Sequence, residues 1–318
     1  MTDTFVVTGG AGFIGSHLVD ALLAEGNRVV VIDDLSSGDE RRINPAAEFE
    51  LFDIDDPERL DSVVDKASPR AIYHLAAQSS ITKSVKDPRR DCDVNVRGTL
   101  QLLEAARRCA APLVFTSSAG VLYGNLAPLP TPERFVPSPI APYGASKWAA
   151  EAYIDTWANS SRLPHAVLRL ANVYGRRQSP AGEVGVVAIF SYSLWRGERP
   201  RMYGHGKPTR DYIHVADVVE AMIRATGVRG TFNVATGFET SVEDVYSTLA
   251  GAAGSSIEPE LLPLRDGELR RSCVDPSHAE RTLGFRARVG VKDGLRRTYR
   301  ELVEEFEAEA SRESATTR

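Results

Sequence analysis

The sequence predicts an α/β fold: a doubly wound parallel sheet of the Rossmann type with a smaller, mixed C-terminal substrate domain. Two observations predict this class. Short β-branched runs alternate with helical stretches over much of the chain, which is typical of parallel strands joined by crossover helices. A glycine turn, Gly9 to Gly15, directly follows the first of these runs. The 318 residues suffice for about two ordinary domains.

The first strand and helix meet at this turn. Phe5–Thr8 is a β-branched run, and residues 16–25 have helical spacing before Gly26. Glycines at 9, 12 and 15 permit a tight turn and close backbone approach. The helix that follows Phe13 and Ile14 offers free N–H groups and the positive end of its dipole to a pyrophosphate. The turn therefore predicts a dinucleotide site.

The second strand, Arg28–Asp33, ends in an acid, close to the ~20-residue spacing expected after the glycine turn. A carboxylate there can accept hydrogen bonds from both hydroxyls of a ribose, and it repels a 2′-phosphate. Asp33 therefore predicts NAD rather than NADP as the cofactor. Arg41 and Arg42 are expected on a solvated loop.

The remaining elements continue the alternation. The predicted strands are Ala71–His74, Leu113–Thr116, Ala166–Arg169 and Thr231–Val234. Helical spacing covers 94–109, 146–158, 184–195 and 291–307, and regular alternation covers 213–225. We expect residues 1–175, with 211–236, to form the NAD-binding domain. Residues 176–210 and 237–310 would form the substrate domain, and 311–318 a disordered polar tail.

Tyr143 and Lys147 are four residues apart at a predicted helix start, which places a phenol and an ammonium on one helix face. A Tyr titrates near ~10, so work as a base at neutral pH requires the phenolate to be favoured by about 3 units. A nearby positive charge acts in that direction. Lys147 and an oxidised nicotinamide could supply it. The pair predicts an acid/base site.

The amino-acid composition limits the class of protein that this chain can be. Hydrophobic residues make up 42% and charged residues 25%, and the formal net charge of −5 gives no general attraction to nucleic acid or to anionic membranes. Three separated cysteines indicate neither a disulfide framework nor a metal cluster. No apolar run reaches the ~18 residues that span a membrane, and the chain starts directly with a strand. We expect a cytoplasmic enzyme without a metal.

Ordered landmarks extend over nearly the whole chain. They are Gly9 to Gly15, Asp53-Ile54, His74 to Ala77, Asn95 to Thr99, Ser117-Ser118, Tyr143 with Lys147, Arg169 to Gly175 and Arg210 to Tyr212. This set resembles the extended short-chain dehydrogenase/reductases, specifically their nucleotide-sugar epimerase/dehydratase branch. The run 182–190 looks most like the UDP-glucose (UDP-galactose) 4-epimerases.

The resemblance implies roles for further residues. On the cofactor side it implies adenine contacts at Asp53 and Ile54, a groove lined by Leu75, Ala76 and Ala77, and support from Asn95. The expected substrate residues are Asn172, the backbone around Val187, Arg210, Arg265, Glu268 and Ser272. Arginine suits a diphosphate because its planar fork donates two hydrogen bonds at once. The implied ligand is a UDP-sugar, and the implied assembly is a homodimer through helices 95–109 and 146–158.

Ser118 is the expected third catalytic residue. It closes a strand, and its hydroxyl could bond the sugar oxygen that Tyr143 deprotonates. The family commonly places this hydroxyl one residue later, where the chain has Ala119, so Ser117 and a water stay open. Dehydratases and decarboxylases of this family carry a carboxylate directly after the hydroxyl residue. Here the following residues are Ala119, Gly120 and Val121. This absence favours C4 epimerisation through a transient 4-keto sugar.

The sugar is left open by the sequence. Ser272 is small enough to admit an N-acetyl group, and Arg176 and Arg177 could instead meet a carboxylate at C6. UDP-GlcNAc and UDP-glucuronate epimerases are therefore alternatives to a UDP-glucose epimerase. So are a dehydratase, decarboxylase or 4-keto reductase on the same fold, and a dinucleotide sensor without chemistry.

Overall fold

The structure, a computed structural model, describes residues 2–181, 185–265 and 268–316. Seven parallel strands form the sheet at its centre: β1 Thr4–Thr8, β2 Arg28–Asp33, β3 Glu48–Leu51, β4 Ala71–His74, β5 Leu113–Ser118, β6 Ala166–Leu170 and β11 Gly230–Val234. Their order across the sheet is β11-β6-β5-β4-β1-β2-β3. The predicted doubly wound fold is confirmed.

Helices cover both faces of this sheet. They are α1 Phe13–Ala24, α2 Pro57–Ala67, α3 Ile81–Lys86, α4 Pro88–Cys92, α5 Gly98–Arg108, α6 Ala119–Leu122, α7 Pro142–Ser161 and α9 Val215–Arg224. Val, Ile and Leu side chains alternate between the faces of the strands, so each face has its own apolar cluster. Val7 and Leu168 belong to one cluster, and Val6 and Leu113 to the other.

The strand order reverses at β1, which lies between β4 and β2. In open parallel sheets, ligands bind outside the carboxyl ends of the strands at such a reversal. The residues that follow β1, β4 and β5, and the end of β2, meet at this edge. The topology therefore gathers the glycine turn, Asp33, Leu75 and Ser118 in one crevice.

The C-terminal region is smaller and mixed. Its elements are β7 Asn172–Tyr174, α8 Val186–Arg196, β8 Arg201–Tyr203, β9 Thr209–Arg210, β10 Tyr212–His214, β12 Thr240–Ser241, α10 Val242–Ala253, β13 Glu260–Leu262, α11 Ser277–Leu283 and α12 Val291–Thr316. The short strands pair two by two. Helices α8, α10 and α12 pack around Phe190, Leu249 and Leu295, which form a separate apolar cluster. The division of the chain into two domains at the stated boundaries stays a prediction.

Several boundaries differ from the predicted ones. Helix α1 begins at Phe13, three residues early, because Gly12 adopts an extended conformation as its N-cap. The predicted helix over 94–109 is interrupted: Asp93–Arg97 is a π-helical turn, and the α-helix starts at Gly98. Such turns are frequent at functional sites.

The predicted disordered tail is wrong for residues 311–316, because α12 continues to Thr316. Alanine, arginine and glutamate in this stretch are good helix formers, so the helix extends without a stop signal. Some residues of the predicted segments lie outside the described residues: Met1, residues 182–184, Asp266, Gly267 and residues 317–318. No helix in the described ranges is both long and apolar enough to cross a membrane.

Candidate active site

The glycine turn forms a tight cradle at the end of β1. Gly9 has a φ of +74°, and a Cβ there would lie 2.6 Å from the backbone nitrogen of Ala76. A Cβ on Gly15 would collide with the carbonyl oxygen of Gly9. The N-cap Gly12 contributes no side-chain hydrogen bond to α1, so the N–H groups of the first turn are left for a ligand. The geometry fits a pyrophosphate.

Asp33 is held rigidly beside this cradle. One carboxylate oxygen accepts a hydrogen bond from the backbone N–H of Ala11 (3.0 Å) and the other from that of Leu35 (2.9 Å). Burial raises the pKa of Asp33, and the two backbone hydrogen bonds act in the opposite direction. Arg41 forms an ion pair with Asp39 at 2.6 Å, so its charge is already matched.

The adenine-side residues follow β3 and β4. Asp53 pairs with Arg90 (2.6 Å), and Ile54 is buried in the apolar cluster of that face. After β4, the backbone N–H of Leu75 donates to the carbonyl of Thr8 (3.0 Å). These residues lie at the predicted edge, and their contacts with a cofactor stay a prediction.

Tyr143 and Lys147 occupy the first turns of α7, as predicted. Pro142 is the first residue of the helix, where its missing N–H costs nothing. The Lys147 side chain is buried; its Nζ donates to the carbonyl oxygen of Thr116 (3.0 Å) and lies 4.5 Å from the centre of the Phe115 ring. Tyr143 is half-buried one turn earlier. The side chain of Lys147 thus lies against the end of β5, one turn after Tyr143 on α7.

The electrostatics of the pair differ from the prediction in one respect. Burial lowers the pKa of Lys147 to about 8, against the charges of Asp91 and Glu151, which raise it. Burial also raises the pKa of Tyr143 above its usual range, and the charge of Asp91 adds to this increase. The sequence predicted a shift toward the phenolate. In the protein alone the shift is in the opposite direction, because burial and the charge of Asp91 both favour the neutral phenol.

Asn95 connects the π-helical turn to α7. Its Nδ2 donates to the carbonyl of Gln78 (3.0 Å), to Oγ of Ser146 (3.1 Å) and to Oδ1 of Asp91 (3.2 Å). Its Oδ1 accepts from the backbone N–H of Gln78 (2.9 Å). Asn95 therefore fixes the loop after β4 against the helix that carries Tyr143.

A buried ion pair braces the other side of α7. Both Nε and Nη2 of Arg169 donate to the carboxylate of Glu151, with a shortest distance of 2.6 Å. The Nη1 of Arg169 donates to the hydroxyl of Tyr123 (2.8 Å) and to the carbonyl of Glu133 (3.2 Å). This network joins the catalytic helix, strand β6 and the loop between α6 and α7.

His74 is a structural residue. Its ring nitrogens are 2.8 Å from Oγ1 of Thr8 and 2.9 Å from Oγ1 of Thr99. Burial, with a contribution from the charge of Lys147, lowers its pKa to about 3. The imidazole is therefore neutral at physiological pH, and it ties β4 to β1 and α5.

Two serines end β5. Ser118 is half-buried at the carboxyl edge. Ser117 is 4% exposed, and its hydroxyl finds no hydrogen-bond partner among the described residues. Successive side chains of a strand point to opposite faces, so only one of the two can face the crevice.

On the substrate side, the structure brings Arg210 and Glu268 together, with Nη2 and Oε1 3.6 Å apart. Arg265 stacks over the ring of Tyr203 at 3.7 Å, which the sequence did not predict. The backbone N–H of Ser272 donates to the carbonyl of Thr209 (3.1 Å). Arg210 ends β9, and Arg265, Glu268 and Ser272 follow β13.

A cavity of about 560 Å³ adjoins Glu268, a volume within the usual range for ligand sites. It is lined by Gly124, Asn125, Ala127, Leu129, Glu268, Arg270 and Arg271. Asn172 is exposed at the start of β7. The side chain of Val187 is buried in the C-terminal cluster, and the expected contact of its backbone with a base stays a prediction.

Arg176 and Arg177 do not serve as free cations for a sugar carboxylate. Arg176 pairs with Glu305 of α12 (2.8 Å), and Arg177 pairs with Asp20 of α1 (2.8 Å). Both charges are matched on the side of α1 and α12, which does not favour the suggestion that they meet a C6 carboxylate.

Sequence reasoning missed Asp91, Gln78 and Glu151. Asp91 and Glu151 each carried a signal: Asp91 precedes Asn95 by four residues, and Glu151 follows Lys147 by four, so each pair shares a helix face. Gln78, which lies on a loop, had no such spacing.

A parallel sheet with a glycine cradle, a fixed acid and a Tyr-Lys pair at one edge defines a dinucleotide-dependent enzyme that acts on hydroxyl or carbonyl groups. Comparison with known proteins agrees. Residues 6–298 match the protein family described as GDP-mannose 4,6 dehydratase. The chain is 45% identical over 302 residues to the UDP-glucose 4-epimerase of Mycolicibacterium smegmatis, covering 92% of this chain and 96% of that protein.

Two solved structures are also similar to this chain. UDP-glucose 4-epimerase from Thermotoga maritima with UDP-glucose has a TM-score of 0.93 at 40% identity, covering 95% of this chain and 99% of that one. The UDP-glucose 4-epimerase from Thermus thermophilus, in complex with NAD, has a TM-score of 0.89 at 38% identity, covering 94% and 98%. The chain therefore belongs to the nucleotide-sugar epimerase/dehydratase family of extended short-chain dehydrogenase/reductases.

Proposed function

We propose that this protein is an NAD-dependent isomerase that interconverts UDP-glucose and UDP-galactose by inversion at C4. The observation that carries the proposal is the Tyr143–Lys147 pair on α7, placed at the same sheet edge as the glycine cradle and Asp33. Relatives with 40 to 45% identity over most of the chain are UDP-glucose 4-epimerases. Their names support the proposal independently of the geometry.

Tyr143 and Lys147 have different roles in the proposed reaction. The glycine cradle and Asp33 would hold NAD, which would supply reversible hydride transfer at C4 of the sugar. Tyr143 takes the proton from the 4-hydroxyl and later gives it back, so one group serves as base and acid. Lys147, fixed by Thr116, stabilises the phenolate and holds the nicotinamide ribose. Because burial favours the neutral phenol in the protein alone, the phenolate needs the cationic nicotinamide nearby.

Epimerisation is favoured over the dehydratase reaction for which the family is described. Water loss from the sugar needs an acid/base group beside the serine. Ala119 is buried at that position, followed by Gly120 and Val121. None of these side chains can transfer a proton.

The proposal is tested by incubating the NAD-loaded protein with UDP-glucose, UDP-GlcNAc and UDP-glucuronate in parallel, with products identified by NMR. We expect UDP-galactose from UDP-glucose. Turnover confined to another sugar, or loss of water or CO2, would replace the proposed reaction by one of the alternatives.

We assign cofactor choice to Asp33. Asp33→Ala should reduce the preference for NAD over NADP, because the carboxylate no longer repels the 2′-phosphate. Binding of both cofactors should also weaken, since Ala11 and Leu35 lose their acceptor. The ratio of the two dissociation constants, measured on cofactor-free protein, is the informative quantity. The exposed neighbour Asp34→Ala is the control. An unchanged ratio for Asp33→Ala would show that Asp33 does not contact the ribose.

We assign the catalytic hydroxyl to Ser118 rather than Ser117, because Ser118 is the more accessible of the two at the strand end. Ser118→Ala should lower kcat by about a hundredfold, the effect of losing one donor to a reacting oxygen. Ser117→Ala, which deletes a buried hydroxyl, should change kcat little. The opposite order in steady-state kinetics would reverse the assignment.

We propose that Arg210 and Arg265 hold the diphosphate and Glu268 the nucleotide ribose. Arg210 and Glu268 are already neighbours, and Arg265 is oriented by Tyr203. Asn172, the Val187 backbone and Ser272 complete the proposed substrate site. Arg210→Met should raise KM for UDP-galactose more than it lowers kcat, and an unchanged KM would contradict its role.

A homodimer is proposed through the outer face of α7. Trp148 and Tyr153 there are about 40% exposed, and Ile81 and Val85 of the adjacent α3 are exposed as well. Trp148 and Tyr153 do not face the core, which supports the proposal. Light scattering should give twice the 34.6 kDa chain mass, and Trp148→Glu should shift the protein toward monomer. A wild-type monomer would end this proposal.

We also propose a cytoplasmic location. Its support is that Cys92, Cys109 and Cys273 are free thiols in the structure, as expected in a reducing compartment. Cell fractionation followed by immunodetection tests it, and recovery with secreted proteins would contradict it.

A further inference from the structure

Asp91 is a buried carboxylate that the proposed reaction does not use. Asp91 lies on α4 and is 1% exposed. Its Oδ1 accepts hydrogen bonds from Nε2 of Gln78 (2.8 Å) and Nδ2 of Asn95 (3.2 Å). Both donors are neutral amides. Within the described residues, no Lys or Arg nitrogen lies within ion-pair distance of this carboxylate.

A buried charge without an ion-pair partner is costly, so its persistence calls for a compensating charge nearby. Lys147 supplies one. It is also buried, its Nζ donates to a backbone carbonyl, and α4 packs against α7, which carries it. Asn95 donates to both Asp91 and Ser146, the residue before Lys147, so it links the carboxylate to this part of α7. The charge of Asp91 raises the pKa of Lys147 without an ion pair between them.

The other charged groups near Asp91 do not provide the compensating negative charge that Asp91 provides for Lys147. Glu151 on α7 also faces Lys147, but its carboxylate is matched by Arg169. His74, beside Lys147, is neutral because burial lowers its pKa to about 3. The remaining charged groups on α3, α4 and the π-helical turn extend toward water: Lys83, Lys86, Asp87, Arg89, Arg90, Asp93 and Arg97.

We propose that Asp91 is a positioning residue of the acid/base pair: its buried negative charge sets the pH range in which Lys147 is a cation and Tyr143 can exchange its proton. The inference rests on the proposed function. A negative charge favours the protonated form of both groups, the ammonium of Lys147 and the neutral phenol of Tyr143. It therefore keeps Lys147 charged, and it holds Tyr143 neutral until a cationic nicotinamide is bound.

If Asp91 is a positioning residue, its charge affects the pH profile of kcat, which a purely structural role would leave unchanged. The acidic limb of the pH profile of kcat reports deprotonation of Tyr143, and the alkaline limb reports loss of the proton from Lys147. Because the two groups are coupled, the limbs give apparent pKa values of the pair. Removing the charge of Asp91 lowers the pKa of both groups, so both limbs should move to lower pH together.

The test is the pH profile of the NAD-loaded Asp91→Asn variant with UDP-galactose. The asparagine keeps an acceptor oxygen for Gln78 and Asn95 while it removes the charge. We expect both limbs to shift to lower pH by roughly one unit. Asp91→Glu should return them toward the wild-type position even if kcat falls. Asp93→Asn, two residues along and half-exposed, is the matched control and should not move them.

A second readout does not depend on turnover. The ultraviolet absorbance of the Tyr143 phenolate can be titrated as the difference between NAD-loaded wild type and Tyr143→Phe, and again with Asp91→Asn in both proteins. The midpoint should fall by roughly one unit in the Asp91→Asn pair. If the wild type does not epimerise UDP-galactose, the proposed function fails, but this titration still tests Asp91.

A uniform loss of kcat with both limbs and the phenol midpoint unmoved would overturn the inference and leave Asp91 with a packing role only. An equal shift in Asp93→Asn would overturn it as well, because the effect would then be one of net charge. If Asp91→Asn does not fold, Asp91→Ser removes the same charge and is judged by the same shifts.

Discussion

Replacing Tyr143 with Phe is expected to lower kcat for C4 inversion by about a thousandfold, the usual contribution of a positioned acid/base group. The hydroxyl is the only group removed, and the ring keeps its place on α7. NAD should stay bound, because the glycine cradle, Asp33 and Lys147 are unchanged. Stopped assays that separate UDP-glucose from UDP-galactose give kcat, and the NAD content of the purified variant gives occupancy.

Tyr153→Phe is the matched control, since Tyr153 is on the same helix and 41% exposed. It should retain wild-type kcat. Near-normal activity of Tyr143→Phe would reject the assigned acid/base. Loss of NAD together with activity would show instead that the phenol is needed for cofactor binding.

Arg169→Met is expected to destabilise the protein by about 3–5 kcal/mol, because it leaves the carboxylate of Glu151 buried and unpaired. The two side chains are only 7% and 6% exposed, so water cannot replace the lost partner. Tyr123 and the carbonyl of Glu133 would lose a donor as well. Urea unfolding followed by circular dichroism, at fixed NAD concentration, measures the change.

Arg28→Met is the control for this change. Arg28 also forms a two-pronged pair, with Glu48, but the side chains are 38% and 52% exposed, so the expected cost is about 0–1 kcal/mol. Equal losses in the two variants would mean that burial does not govern the strength of the Arg169 pair.

The fold and the cofactor site could be predicted from the sequence because their signals are local. A β-branched strand, a glycine turn and a terminal acid occupy adjacent positions, and each has its own backbone requirement, such as the positive φ of Gly9. Strand Arg28–Asp33 was predicted with its observed bounds for the same reason. The Tyr143–Lys147 pair followed from helical spacing alone.

What could not be predicted depends on contacts between distant segments. The pairing of Arg176 with Glu305 joins residues far apart in sequence, so nothing near Arg176 indicated that its charge is matched. The pKa of Tyr143 depends on burial and on Asp91 from another helix, neither of which is visible in the run that carries the tyrosine. The π-helical turn at 93–97 likewise has the composition of an ordinary helix.

Proton NMR of UDP-galactose incubated with the NAD-loaded protein in D2O tests directly whether C4 is inverted by hydride transfer. Hydride transfer between C4 and NAD does not involve solvent, so we expect UDP-glucose that retains protium at C4. Deuterium at C4 would show that the carbon is deprotonated rather than oxidised, and an unchanged hexose would show that the protein does not catalyse the inversion. Either result would contradict the account.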